Sequence, residues 1–474
     1  MNSKEKQKTY QFLLQDSNIE LKNRYFLSII GTLSLLWLLI SGLFSLVESI
    51  KLHAPSIFSN HVSMSYGRIH HIAQLSFFGA LLHGFLWIGF SHIVNRAQYL
   101  LKFKNYLIIS YLFLNSSIII GIIEIISGNL KNGTLIFPSC SLFLFSFSLF
   151  FLIPVIWRSL FERKQLSPSV LFASLAFWII PFSLITMLFI SSSGFLHAAY
   201  GSWILSWFSH HLFSLFLIPL GLSTLLEYAQ RITKKEFQNP YPLYFAFWIY
   251  TTANLLTTSE LTQGTHSFLP AWLRSINTVG ALFSSFSILI LLHSLYSHLK
   301  PTLSTLKKRL SFGFFSFASF SIALLTGIKT ILAFQEIEKW VQFTSVIPAL
   351  QTLLSFGFLL MILFAWIYEE APEILQGAWV SPSLIQTHLW LTSLATGFTT
   401  LALLIAGGIQ IYRHSNAEIS FLSTSLLIRP LLWVQSLSLV FQFSGFLMIA
   451  LLFLLLLLQW KPNPKNSMFI NPSS

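Results

Sequence analysis

The sequence predicts an all-α membrane protein built from about twelve transmembrane helices. Three observations carry that expectation. Hydrophobic residues make up 54% of the 474 positions and charged residues only 9%, far below the roughly 25% of an ordinary soluble domain. Apolar windows of about 20 residues, enough to cross a bilayer core as helix, recur along the chain. The segments between them are too short to hold a soluble domain. One membrane domain is therefore expected over 25–460, with a cytoplasmic N-terminal segment at 1–24 and a cytoplasmic C-terminal tail at 461–474.

The windows fall near 25–48, 69–93, 106–127, 135–158, 169–192, 200–228, 241–260, 272–298, 311–335, 342–368, 384–412 and 430–459. The first follows Lys4, Lys6 and Lys8 but is not succeeded by a small-residue cleavage site, so it reads as a span and not as a removable signal peptide. The second opens on Tyr66-Gly67-Arg68-Ile69-His70-His71. Glu124 closes the third, and the fourth encloses Cys140 and Pro154. The sixth holds the adjacent pair His210 and His211 near its middle, followed by Pro219. Asn254 and Glu260 fall in the seventh, Pro348 in the tenth and His388 in the eleventh. The last, nearly all leucine from Leu451 to Leu458, reads as a wall facing lipid. Proline at these depths kinks a helix, which a bundle tolerates when neighbours satisfy the freed carbonyls.

A net charge of +13 would suit nucleic acid on a soluble domain, but here the basic residues sit in short loops and report topology. With the N-terminus inside, about 20 of the 28 Lys and Arg fall on the cytoplasmic side and about eight outside. Both termini are thus expected in the cytoplasm, in the inner membrane of a bacterium. The partner implied is the lipid bilayer, and no nucleic acid is expected. The single cysteine rules out an intrachain disulfide and any cysteine-based zinc or iron-sulfur site. If a metal is bound, histidine must supply the ligands.

Histidine is abundant, with fourteen against fifteen acids. An imidazole deep in a bilayer is costly unless it ligates a metal, shares a proton or lines a wet cavity. His293 and His298, near a helix end, read as interfacial. Arg68 lies about one turn before His71, where its guanidinium could pair with a haem propionate or with phosphate headgroups. Glu124, Glu227 and Glu260 read as helix-end or boundary carboxylates.

Several short stretches resemble one family. Trp207-Phe208-Ser209-His210-His211 is similar to the Trp-Tyr-Gly-His-Asn signature on helix six of subunit I of the cbb3-type cytochrome c oxidases, in the haem-copper oxygen reductase superfamily. Arg68-Ile69-His70-His71 resembles that family's Arg-x-x-His. Thr387-His388-Leu389-Trp390-Leu391 and Ala406-Gly407-Gly408-Ile409-Gln410 resemble its His-Phe-Trp-Leu and Ala-Gly-x-x-Gln stretches. The resemblance implies a subunit-I-like bundle and puts His210 at a copper-ligand position. It also implies that His71, with Arg68 beside it, serves the low-spin haem.

The pattern then breaks. The tyrosine and His-His pair that the family carries on helix seven fall here on Asn254, Glu260 and Leu261, and a small insertion would bring only His266 into range. The His-x-His of helix ten, which ligates both haems, falls on Ile347 and Ala349. Alkyl side chains have no lone pair for iron. Copper needs three imidazoles, so with His210 certain only by position and His211 and His266 as weak supplements, copper is doubtful. One haem b remains possible.

The resulting expectation is a divergent subunit-I-like protein of a respiratory electron-transfer complex. Its haem and copper set would be reduced or absent, and a cytochrome c-type subunit would be among its partners. Two alternatives stay open: a working terminal oxidase or nitric oxide reductase with unorthodox ligands, and a twelve-helix transporter. Whether the chain is an enzyme is left undecided by the sequence.

Overall fold

Serine hydroxyls set the pairing of the first four helices. In a bilayer the backbone is satisfied within each helix and apolar burial no longer drives association, so close packing and interhelical hydrogen bonds do the joining. Ser34 and Ser41, on one face of α1 (Ser3–His53), donate to the carbonyls of Ala80 and Ala73 on α2 (Tyr66–Val94), at 2.8 and 2.9 Å. The next pair repeats the device. Ser110 and Ser117 of α3 (Leu100–Ser127) donate to the carbonyls of Ser148 and Ser141 on α4 (Ser139–Phe161), and Ser141 returns a bond to Ser117.

This computed structural model describes residues 3–94, 100–128, 137–161, 166–176, 210–257, 271–416 and 418–459. After α4 come a helical stretch at 168–176 and then α5 (Leu212–Thr233), α6 (Tyr241–Leu256), α7 (Ala271–Leu299), α8 (Leu310–Leu332), α9 (Val346–Leu375), α10 (Pro382–His414) and α11 (Phe421–Gln459). The molecule is an all-helical membrane bundle. Nine helices among the described residues are long and apolar enough to cross a membrane, and Cys140–Pro154 is a shorter apolar helix. Of the twelve expected spans, most of 169–192 and the first part of 200–228 lie outside the described residues, as does the tail 461–474.

Sequential helices pack as neighbours: α1 on α2, α3 on α4, α6 on α7, α10 on α11. α11 returns to α1, and α9 runs through the middle, touching α2, α5 and α8. The stretch from Phe358 to Ile367 is almost wholly buried, as a central helix must be.

Two details revise the sequence reading. The leucine run of α11 is not wholly a lipid wall: Leu452, Phe453 and Leu456 are buried, with Phe453 edge-on to Trp87, while Leu451, Leu454 and Leu458 stay exposed. A helical period divides any uniform run into an inner and an outer stripe. Cys140 sits exposed in the first turn of α4 and not deep within it.

Two helices carry wide π turns, at Leu212–Leu217 and Leu353–Leu360. Such turns mark places where the regular ladder is interrupted. The first lies directly after His210 and His211.

Candidate functional site

His210 and His211 are both buried at the start of the described part of the sixth span. Successive residues on a helix point about 100° apart. Accordingly the two rings stand edge to face, with centroids 5.1 Å apart and planes at 87°. His210 Nε2 lies 3.0 Å from Thr257 Oγ1 and 3.3 Å from Ser214 Oγ, so two hydroxyls occupy the space in front of the expected ligand atom. His266, Glu260 and Leu261 lie outside the described residues.

The hydroxyls belong to a network that sequence reasoning missed. Thr257 Oγ1 donates to the Asn254 carbonyl at 3.2 Å, and Asn254 Nδ2 donates to the Tyr250 carbonyl and to Ser284 Oγ at 2.8 and 3.0 Å. Thr257 is held there because Gly280 of α7 has no side chain: a Cβ on it would fall 2.4 Å from Thr257 Cγ2. Tyr250, fully buried on α6, donates its hydroxyl to the Ser214 carbonyl at 2.5 Å. The reason lies in the π turn. Ile218 N–H reaches back to Phe213 O and Pro219 has no N–H, so the Ser214 carbonyl lacks a helical partner and takes one from Tyr250.

At α2, the structure separates Arg68, His70 and His71. Arg68 Nη1 donates to the Ile126 carbonyl at 2.9 Å, placing its charge at the negative end of the α3 dipole. Gly128 is required beside it. Its φ of +82° suits glycine, and an added Cβ would fall 2.3 Å from Arg68 Nη2. His70, not His71, is the engaged imidazole: Glu48 Oε1 lies 2.7 Å from Nδ1 and Gln74 Nε2 lies 2.8 Å from Nε2. Tyr66 also donates to Glu48, at 3.1 Å. His71 Nδ1 is buried with no hydrogen-bond partner.

Whether these residues fit a haem or copper follows from their donor set. His71 has a nitrogen free for one axial bond to iron. On the facing helix, Ala349 is fully buried and Ile347 partly so, and neither can ligate. Between α2 and α9 the rings of Phe77 and Phe356 already touch, with centroids 4.9 Å apart, and Phe356 meets Phe446 at 6.4 Å. Deeper, Leu363 lies against Gly84 so closely that a Cβ there would come within 2.5 Å. The side chains present do not fit a haem ligated from both helices. Among the described residues, no three His, Cys, Asp or Glu side chains come together as a metal site.

The stretches on α10 serve packing. Gly407 permits the approach of the α9 start, since a Cβ there would lie 2.5 Å from Val346 Cγ2 and 2.7 Å from the Val346 nitrogen. Gln410 Oε1 then accepts the Ser345 N–H at 2.6 Å, satisfying a donor at that helix start. His388 is fully buried with Nδ1 2.7 Å from Tyr368 OH, enclosed by the rings of Phe314 and Phe364. Glu124 caps α4 through the N–H groups of Cys140 and Ser141, and Glu227 accepts from Ser169 Oγ at 2.7 Å. Both have structural partners, Glu124 in the last turn of α3 and Glu227 nearly two turns before the end of α5. At the same end of the bundle as Glu227, Arg231 pairs with the buried Glu370 and with Glu373 while lying over the Trp366 ring.

No family model matches this sequence, and no curated protein sequence matches it either. The fold does have solved counterparts. The chain superposes on a protein from the cryo-EM structure of a heme-copper terminal oxidase dimer with a TM-score of 0.64 at 11% identity, covering 94% of this chain and 86% of that one. The bundle therefore resembles the fold of that heme-copper terminal oxidase, at a sequence identity of only 11%.

Proposed function

We propose that this chain is a divergent cbb3-type subunit-I-like protein that serves a respiratory electron-transfer complex as a structural or assembly subunit, with a reduced or absent haem and copper set. The observation that carries the reading is the α2–α9 contact. Where haem ligands are expected, the chain has Ile347 and Ala349, and about two turns further along the same helix the rings of Phe77 and Phe356 are in contact. The fold match over nearly the whole chain supports the scaffold half of the proposal. The engagement of His210 by Thr257 and Ser214 supports the loss of copper.

In this reading the protein has twelve spans and both termini in the cytoplasm of a bacterial cell, and a cytochrome c-type subunit is among its partners. Its roles in the complex are to bind neighbouring subunits and exclude water from the membrane interior. A one-haem form is the second reading, favoured by the unpartnered Nδ1 of His71. Bound haem would supply one-electron transfer, and Arg68, committed to the end of α3, would give it no direct charge partner.

Affinity purification of the tagged chain from its own membranes, with mass spectrometry of what comes with it, tests the assignment to a complex. Stoichiometric recovery of a cytochrome c-type subunit is the expected result. Recovery of the chain alone, with transport of a solute by the purified protein in vesicles, would replace the proposal with the transporter reading.

A further inference from the structure

A cavity of about 60 Å³ lies between α6, α7 and α8, and the role proposed above makes no use of it. Arg274, Lys329 and Glu338 stand at helix ends around its mouth, and Tyr250, Asn254 and Ser284 line its far end. Ten residues of helix separate Arg274 from Ser284, so the cavity reaches roughly 15 Å along α7. Its size is that of about four water-sized groups. This is enough for a carboxylate or a phosphate and too little for a large organic molecule.

Its chemistry selects an anion. Two cations and one acid border it, and the amides and hydroxyls between them offer many donors. Lys329 and Glu338 have interactions of their own. Arg274 is different: its Nε is shielded from solvent and has no hydrogen-bond partner, and its guanidinium forms no ion pair among the described residues. A partly buried guanidinium left uncompensated at the end of a membrane helix is costly, and a planar fork of donors is suited to two oxygens of one anion. The asparagine at the cavity's far end bonds Ser284 and, through its carbonyl, Thr257, which touches His210. The far wall of the cavity therefore joins a hydrogen-bonded chain leading to the buried histidine.

We propose that this cavity is a binding site for a small oxyanion, a carboxylate or a phosphate, held by Arg274. The anion can come from solution or from the headgroup of an anionic lipid. The site stands independently of the cofactor content of the protein.

The test uses the full chain in phosphatidylcholine nanodiscs, with the unfolding midpoint followed against sodium acetate and inorganic phosphate at ionic strength matched with sodium chloride. A saturable rise of about 2–5 °C is expected for a ligand well above its dissociation constant. Arg274→Gln should abolish it and Arg274→Lys should weaken it. Asn277→Ala, a milder change about one turn from Arg274 on the same cavity wall, should lower the apparent affinity severalfold and keeps the test open if Arg274→Gln does not fold. If free anions give no rise but phosphatidylglycerol nanodiscs raise the midpoint in an Arg274-dependent manner, the ligand is the lipid phosphate. Equal responses of wild type and the Arg274 and Asn277 variants to acetate, phosphate and phosphatidylglycerol would overturn the proposal.

Discussion

Tyr250→Phe removes one hydroxyl from the interior and should cost the bundle about 1–2 kcal/mol. The magnitude follows from the geometry at the π turn. Tyr250 is 1% exposed and its OH lies 2.5 Å from the Ser214 carbonyl, which Pro219 and the wide turn leave without a helical donor. An unsatisfied buried acceptor costs about 1–3 kcal/mol, and interhelical hydrogen bonds in bilayers average somewhat under 1 kcal/mol, so the expected loss lies between. Pro219→Ala supplies the missing N–H to the same turn, and the penalty of Tyr250→Phe should then fall by at least half. The four proteins of this double-mutant cycle can be compared by unfolding with sodium dodecyl sulfate in mixed micelles. A Tyr250→Phe cost that is the same in both backgrounds would refute the claim that the tyrosine exists to satisfy the carbonyl freed by the proline.

Other substitutions test neighbouring parts of the account by the same unfolding assay. Gly407→Ala forces a methyl against the Val346 backbone and should cost about 1–3 kcal/mol, whereas Gly408→Ala, which meets open space, should be near neutral. Gly128→Ala combines a left-handed φ with a collision at Arg68 and should cost about 1–2 kcal/mol, with Arg68→Ala partly relieving it. Arg231→Ala leaves Glu370 buried without its cation and should cost about 3–5 kcal/mol, while Arg231→Lys should recover part of that loss. Equal effects of Gly407→Ala and Gly408→Ala, or a neutral Arg231→Ala, would show that these contacts do not hold the helices together.

The helices were legible because a bilayer sets their length, and the chain meets that requirement repeatedly with few charges inside the windows. Chemistry was less legible. His210 and His211 look like a paired site when written side by side, but a helix turns them apart, and only the fold brings Thr257 and Ser214 in front of His210. Tyr250 is one aromatic among many in its span, and nothing local marks it. The signal was Pro219, one turn beyond Ser214, because a proline inside a membrane helix obliges some neighbour to bring a donor. Gly407 and Gln410 were visible as a family-like stretch, while their work in seating and capping the start of α9 depends on a contact between helices. Glu48 closed an apolar run without any sign that it would hold His70 across the α1–α2 pair.

The central proposal is that this oxidase-like bundle carries a reduced or absent haem and copper set. Reduced-minus-oxidised visible spectra of the purified chain, with iron and copper counted per polypeptide, test it most directly. The account predicts no copper and at most one b-type haem, which His71→Ala should then remove. Two haems and one copper per chain would contradict it.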